Sequence, residues 1–232
     1  MMENVFLSIV YPYNFILAIN FFILLVSALI SYQSYRNHHF LKIKSFKYFS
    51  WAFLSITLGY LFKILSSFTI VHKVVLELSE FSVTFFTNLD FFQDIHVLSL
   101  IFHKFFILLG FLILFLTLIK SNKRSEVFLT IYLTLMLLFL SIYIDVIFSL
   151  SLVVILVLLT SHFYKNQKKN KSRSSKLVFI AFSLITLGSI IQIHCSYYNP
   201  AHIWGEIFIL GGFLVLLTNH INIKNGKKKN KN

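Results

Sequence analysis

Residues 35–64 read YRNHHFLKIKSFKYFSWAFLSITLGYLFKI, and residues 164–193 read YKNQKKNKSRSSKLVFIAFSLITLGSIIQI. The two stretches are identical at 12 of 30 ungapped positions. Unrelated segments of such biased composition match at roughly one position in ten, so the similarity indicates an internal duplication with a shift of 129 residues. The identical positions of the first copy are Tyr35, Asn37, Lys42, Ser45, Lys47, Ala52, Phe53, Ile56, Thr57, Leu58, Gly59 and Ile64.

The repeat continues further along the chain with a smaller shift. Eight residues between 101 and 114 recur 102 positions later. The shift falls by 27 because the first copy contains a longer outer connection, predicted at residues 71–94. The pattern leaves open whether this connection is an interfacial helix, a hairpin, a lid over a site or only a surface loop. The recurring residues are Ile101, Phe106, Ile107, Leu108, Gly110, Phe111, Leu112 and Leu114.

The composition places this chain in a lipid bilayer. Of its 232 residues, 57% are hydrophobic and 12% are charged, which is more apolar surface than one soluble core of this size can bury. Cutting the apolar runs where charges accumulate predicts seven spans, each able to cross roughly 30 Å of hydrocarbon. The predicted spans are residues 5–32, 48–70, 95–119, 127–144, 146–164, 177–195 and 203–221.

The basic residues indicate how these spans are oriented. Eighteen of the 21 Lys and Arg residues fall in four segments that seven spans place on one side of the membrane, and six of the eight acidic residues fall on the other. By the positive-inside rule, the N-terminus is outside the cell membrane and the C-terminus is in the cytoplasm. The basic loops are expected to attract anionic lipid. Their distribution argues against nucleic-acid binding, despite a net charge of +13.

Spans five to seven repeat the sequence pattern of spans one to three, and span four has no counterpart. A second copy keeps the orientation of the first only if one extra span returns the chain to the outside, which predicts an all-α, parallel 3+1+3 arrangement. The expected units are a first three-helix repeat (1–122), a linker helix (123–145), a second three-helix repeat (146–223) and a basic, disordered tail (224–232). Five glycines are expected to let helices approach closely, namely Gly59, Gly110, Gly188, Gly211 and Gly212.

Several ionisable or amide side chains are predicted to lie inside the membrane at similar depth, in its outer third. The shift of 102 residues relates Lys104 to Glu206, so a cation and an anion are expected to neutralise each other if both face the axis between the repeats. One hypothesis is a cavity for a small polar or anionic ligand. The alternative is that the charged side chains only reach the outer headgroups. The candidate site residues are Lys63, His103, Lys104, Gln192, His194 and Glu206.

The sequence carries no catalytic or cofactor signature. It lacks Gly-x-Ser-x-Gly, a phosphate-binding glycine loop and His-Glu-x-x-His, so we expect no enzyme activity. The single Cys195 excludes an intramolecular disulfide. His103 and His194 lie at similar depth, as haem ligands on facing helices do, but without a Cys-x-x-Cys-His motif ordinary polar histidines are the better explanation. No cofactor or metal is therefore predicted.

A seven-span, N-outside chain with parallel 3+1+3 repeats resembles, in topology, the sugar-transporting SWEET and PQ-loop proteins and the wider group of opsins and seven-helix receptors. The resemblance covers residues 5–221. The Pro-Gln pair of PQ-loop proteins is absent, since Pro12 and Pro200 are the only prolines, and residues 203–223 contain no retinal-binding lysine. No family's functional residues carry over to this chain.

The resemblance implies transport of a small polar solute through a site between the repeats. The alternatives are a membrane sensor or receptor-like module, or an assembly factor for another membrane protein. A cleft that reaches past mid-membrane is expected of a transporter. A shallow outer pocket above a packed inner half is expected of a sensor, and no cleft is expected of an assembly factor.

Overall fold

The computed structural model describes residues 2–78, 89–119, 132, 136, 145–194 and 200–229. This part of the chain is all α-helical, as predicted. Its helices are α1 (Met2–Leu41), α2 (Lys44–Leu78), α3 (Leu89–Ile119), α4 (Asp145–Asn170), α5 (Arg173–His194) and α6 (Pro200–Lys229).

Each of the six helices contains a segment long and apolar enough to cross a membrane. Large apolar side chains also cover their outward faces, with Phe22, Trp51 and Val154 each more than half exposed. Helices that are apolar both inside and outside the bundle are those of a membrane protein. The predicted fourth span, 127–144, lies outside the described residues apart from Tyr132 and Met136, which are helical.

The helices extend beyond the ends of the predicted spans. The first and fifth predicted spans continue to Leu41 and Asn170, so the connections that follow them shrink to two residues each. Residues 71–78 and 89–94 of the predicted outer connection are helical, and α6 continues to Lys229 where a disordered tail was expected. Charge accumulation marks where a helix leaves hydrocarbon, but Lys and Arg are good helix formers and do not end it.

The two short connections have the same geometry 129 residues apart. Lys42 and Lys171 are the non-glycine residues with positive φ in the described chain, at 53° and 45°. The Lys42 N–H donates to the His38 carbonyl at 2.8 Å, and the Lys171 N–H donates to the Gln167 carbonyl at 2.9 Å. These are left-handed helix caps of the kind that usually carry glycine.

Lys42→Gly is expected to raise the free energy of unfolding by about 0.5–1 kcal/mol, because the left-handed conformation strains a residue with a Cβ. Lys47→Gly is the matched control: the lysine is exposed inside α2, and glycine there costs about 1 kcal/mol. Thermal unfolding in detergent measures both. A lower melting temperature for Lys42→Gly would contradict the cap.

The six helices form a closed ring in which each packs on its two neighbours, in the order α1, α2, α3, α4, α5, α6 and back to α1. Side chains of α2 and α6 also meet across the interior. Phe53 and Tyr60 contact the Phe213 ring edge-on, with centroids 6.0 and 6.2 Å away. The largest fully buried side chains are Phe53, Phe182, Phe213, Ile23, Ile30, Ile56, Leu108, Leu114, Leu156, Leu159, Ile185 and Leu216.

Glycines bring α2 against α3, and α5 against α6, by equivalent contacts. A Cβ built on Gly110 would lie 2.5 Å from Ile56 Cγ1 and 2.8 Å from the Ala52 carbonyl oxygen. A Cβ on Gly212 would lie 2.5 Å from Ile185 Cγ1 and 2.7 Å from the Ala181 carbonyl oxygen. Gly59 and Gly188 are similarly crowded. For Gly211 the expected close approach is wrong, since no atom lies within 4 Å of its added Cβ.

Candidate ligand site

A cavity of about 40 Å³ lies inside the ring of helices. At this size it has room for roughly three water molecules. Five of the six helices contribute to its wall. The lining residues are Tyr60, Lys63, His103, Ile107, Phe111, Phe148, Leu152, Ile185, Ser189, Gln192, Ile209 and Phe213.

Most of the lining consists of residues that the predicted repeat relates to each other. The pairs of α2 and α5 are 129 residues apart, and those of α3 and α6 are 102 apart. Each pair places both of its members on the wall of the same cavity. The pairs are Tyr60 with Ser189, Lys63 with Gln192, Ile107 with Ile209, and Phe111 with Phe213.

A buried ion pair joins α2 to α6 beside the cavity. Lys63 Nζ donates to Glu206 Oε1, and their side chains are 11% and 0% exposed. The ammonium group also lies 5.6 Å from the centre of the Tyr60 ring. The second carboxylate oxygen of Glu206, Oε2, has no hydrogen-bond partner within the described structure. A fully buried carboxylate therefore depends on a lysine that faces the cavity.

The pair lies towards the end of the bundle opposite Lys42 and Lys171. Lys63 is six residues before the end of its membrane segment at Thr69, and Glu206 is four residues after the start of its own at His202. At 1.5 Å per residue these separations are about 9 and 6 Å. The two charges therefore lie at a similar level along the bundle.

Glu206 forms an ion pair with Lys63. The sequence suggested Lys104 as its partner on the condition that both residues face the axis between the repeats. Lys104 is 7% exposed on α3 and is not part of the cavity wall. Lys63 and Gln192 both line the cavity, whereas Lys104 is not among the lining residues. The shift in sequence could not reveal which related residues would reach the cavity wall.

His103 lines the cavity and is held by its neighbours. Its Nδ1 lies 2.9 Å from the Gly59 carbonyl oxygen. Since a carbonyl oxygen only accepts, Nδ1 carries a proton and donates it. The imidazole also contacts the rings of Tyr60 and Phe148, with centroids 6.2 and 6.0 Å away. These contacts fix the orientation of the imidazole ring.

Gln192 is placed by a close approach of α5 and α6. A Cβ on Gly205 would lie 2.9 Å from Gln192 Cγ and 2.9 Å from the Gly188 carbonyl oxygen. Within the described structure, Gln192 Nε2 is buried without a hydrogen-bond acceptor. A buried donor of this kind is normally satisfied by water or a ligand. His194 ends α5, and its side chain lies outside the described residues.

The polar side chains of the cavity wall can bind a ligand through hydrogen bonds. Lysine, histidine, serine and glutamine side chains supply hydrogen-bond donors, and the described lining contains no Asp, Glu or Cys. No family model, curated protein or solved structure matches the chain. A search of the described residues also finds no group of three His, Cys, Asp or Glu side chains that could hold a metal.

Asn20 lies near the site but is not among the candidate residues predicted from the sequence. Thr57 Oγ1 lies 3.0 Å from Ser27 Oγ, which fixes the level at which antiparallel α1 and α2 face each other. Seven residues are about two helical turns, so Asn20 shares the face of Ser27 at the level of Lys63. Asn20 is 0% exposed, and neither amide atom has a partner in the described structure.

The sequence does contain a pattern that indicates a role for Asn20. Polar residues recur every seven positions within an apolar span, at Asn20, Ser27 and Ser34. That spacing marks one polar stripe on a helix. All three side chains are buried.

A second polar layer lies nearer Lys42 and Lys171. Ser31 Oγ lies 2.9 Å from the Ser50 carbonyl oxygen, and Ser50 Oγ lies 3.0 Å from the Ser31 carbonyl oxygen. The His220 ring stacks on Phe49 at 5.3 Å. Fully buried Phe53 lies between this layer and Tyr60 on α2, so apolar packing separates the cavity from the basic end of the bundle.

Proposed function

We propose that the protein carries a small polar solute across the cell membrane through a site between two three-helix repeats. The proposal includes seven spans, a parallel 3+1+3 duplication, an outside N-terminus and a cytoplasmic C-terminus. The equivalent helix caps at Lys42 and Lys171 support the duplication. So do the equivalent glycine contacts at Gly110 and Gly212.

The observation that carries the proposal is the cavity wall. Four repeat-related residue pairs line it, so the cavity lies where the two proposed repeats meet. In transporters built from repeats, the solute site lies at this interface, and the two units rock about it to open each side in turn. The polar groups also sit where an ionisable residue inside a membrane usually serves a function.

Phe213 lies between the cavity and the end of the bundle that carries Lys42 and Lys171, so transport would require it to move. Its side chain is buried, lines the cavity and contacts Phe53 towards the basic end. In the proposed cycle, relative movement of the repeats parts Phe213 from Phe53. The close glycine contacts join α2 to α3 and α5 to α6. In the proposed cycle each of these helix pairs moves as a rigid body.

Sensing is the second candidate, and the packing below the cavity favours it. A small pocket above closely packed phenylalanine and leucine side chains is what a receptor-like module needs to detect a ligand without passing it. In that case the basic connections would contact a cytoplasmic partner.

The experiment compares uptake and binding in the full-length protein. Proteoliposomes would be tested with four radiolabelled probes that differ in charge: acetate, glycine, urea and methylammonium. We expect uptake of one class above empty vesicles, and at least a tenfold loss in Gln192→Leu. Gln167→Leu makes the same change outside the cavity and is expected to retain uptake.

Binding of a probe in a thermal-shift assay without uptake would favour the sensor. Neither binding nor uptake of any probe would overturn the site between the repeats.

A further inference from the structure

We propose that the cavity takes a small monovalent carboxylate on Lys63, and that Glu206 takes up one proton in the same step. The acid is then carried as its anion together with a proton. This inference rests on the proposed solute site and specifies its substrate class. It follows from the chemistry of the lining and from the number of charges that the buried groups can balance.

The lining presents hydrogen-bond donors and a single described cation. Lys63 supplies an ammonium group, and Gln192 Nε2 is a buried donor without an acceptor in the described structure. Glu206 is not part of the wall and lies behind Lys63. An anion is therefore favoured over a cation at the wall, because carboxylate oxygens accept from both donors.

The volume restricts the anion to a small one. A cavity of about 40 Å³ is filled by roughly three water molecules. A carboxylate with one carbon substituent, such as acetate, replaces that amount of water with little further opening. Ile107, Ile209 and Phe111 supply apolar wall for the substituent.

Charge balance requires the proton. In the structure, the Lys63 ammonium neutralises the Glu206 carboxylate. When Lys63 turns to an incoming carboxylate, Glu206 is left buried at 0% exposure with a negative charge. Such a charge is expelled or neutralised. One proton bound to Glu206 restores the balance, and the buried net charge is zero before and after the step.

Other titratable groups lie within electrostatic reach of Glu206 or of its partner Lys63. Its own helix carries His202, and α2 carries Tyr60 as well as Lys63. On α3, which packs on α2, His103 lies close to Lys63 and to Lys104. The neighbouring α5 and α1 carry the neutral amides of Gln192 and Asn20. The experiment must therefore assign the proton to Glu206 rather than to a histidine.

The test is calorimetric titration of the purified full-length protein with sodium acetate, in two buffers of different ionisation heat. We expect uptake of one proton per bound acetate in the wild type and none in Glu206→Gln, which still binds acetate. Asp94→Asn changes an exposed carboxylate in the same way and keeps the proton. At any pH where one proton is taken up per acetate, the acetate affinity of the wild type falls roughly tenfold for each rise of one pH unit, by linkage.

Two results would overturn the inference and leave the proposed function standing. One is acetate binding without proton uptake, or with uptake that persists in Glu206→Gln. The other is binding of glycine, urea or methylammonium in place of acetate. If Glu206→Gln does not fold, the pH dependence of wild-type acetate binding decides, and a flat profile overturns the coupling. Binding of no probe overturns the proposed function as well.

Discussion

Lys63→Met is expected to lower the free energy of unfolding by roughly 3–5 kcal/mol, because it leaves the Glu206 carboxylate buried without its cation. The substitution keeps the length and the apolar stem of the lysine. Its cost therefore comes from the charge, since Glu206 is fully buried. Thermal or denaturant unfolding in detergent micelles measures the loss.

Removal of the anion instead of the cation, by Glu206→Gln, is expected to lower the free energy of unfolding by a smaller amount. In Glu206→Gln the lysine keeps a hydrogen-bond acceptor. Its side chain is 11% exposed in the ion pair and lines the cavity, and its flexible stem lets the ammonium turn to the cavity. The double variant Lys63→Met/Glu206→Gln is expected to recover most of the stability lost in Lys63→Met, because no uncompensated charge remains. Additive losses in the double variant would contradict the assignment of this ion pair.

Gly212→Ala is expected to destabilise the protein by about 1–3 kcal/mol or more, because the added Cβ overpacks the α5–α6 contact. One of the three nearest atoms it would meet is the Ala181 carbonyl oxygen, at 2.7 Å, and backbone cannot rotate away as a side chain can. The helices must part to admit the methyl group. Gly110→Ala is expected to behave alike, since its Cβ meets the Ala52 carbonyl oxygen at 2.8 Å.

The neighbouring glycine supplies the control. Gly211 has no atom within 4 Å of an added Cβ. Gly211→Ala is therefore expected to be neutral, or to stabilise by up to about 1 kcal/mol through helix propensity. Melting temperatures of the two single variants, measured side by side in detergent, separate packing from propensity. Equal losses in Gly211→Ala and Gly212→Ala would rule out the close contact as the cause.

Much of the helix pairing could be predicted from the sequence. The recurrence of Gly59, Gly110, Gly188 and Gly212 predicted close approaches, and all four are crowded in the structure. Small residues within apolar spans have few other uses, since lipid and leucine are equally apolar and close packing must hold the helices together. The prediction was wrong for Gly211, because the sequence alone does not show whether a glycine faces a neighbouring helix or the outside of the bundle.

The site could be predicted only in part, for the same physical reason. Depth along each helix follows from counting residues, so Lys63, His103, Gln192 and Glu206 were placed at similar depth. Packing sets the rotation of each helix about its axis. When a helix is apolar on all sides, its sequence does not show which side faces the interior. The partner of Glu206 and the burial of Asn20 both depend on that rotation.

Lys63 and Gln192 occupy equivalent positions of the two proposed repeats, and both line the cavity. This difference between the copies suggests a reason for joining them in one chain. In a dimer of identical three-helix proteins, every wall residue would occur twice, and Lys63 would face a second lysine. Two ammonium groups across a space of about 40 Å³ would repel each other strongly. Joining the copies in one polypeptide lets each side mutate separately, so a symmetric frame can hold an asymmetric set of charges.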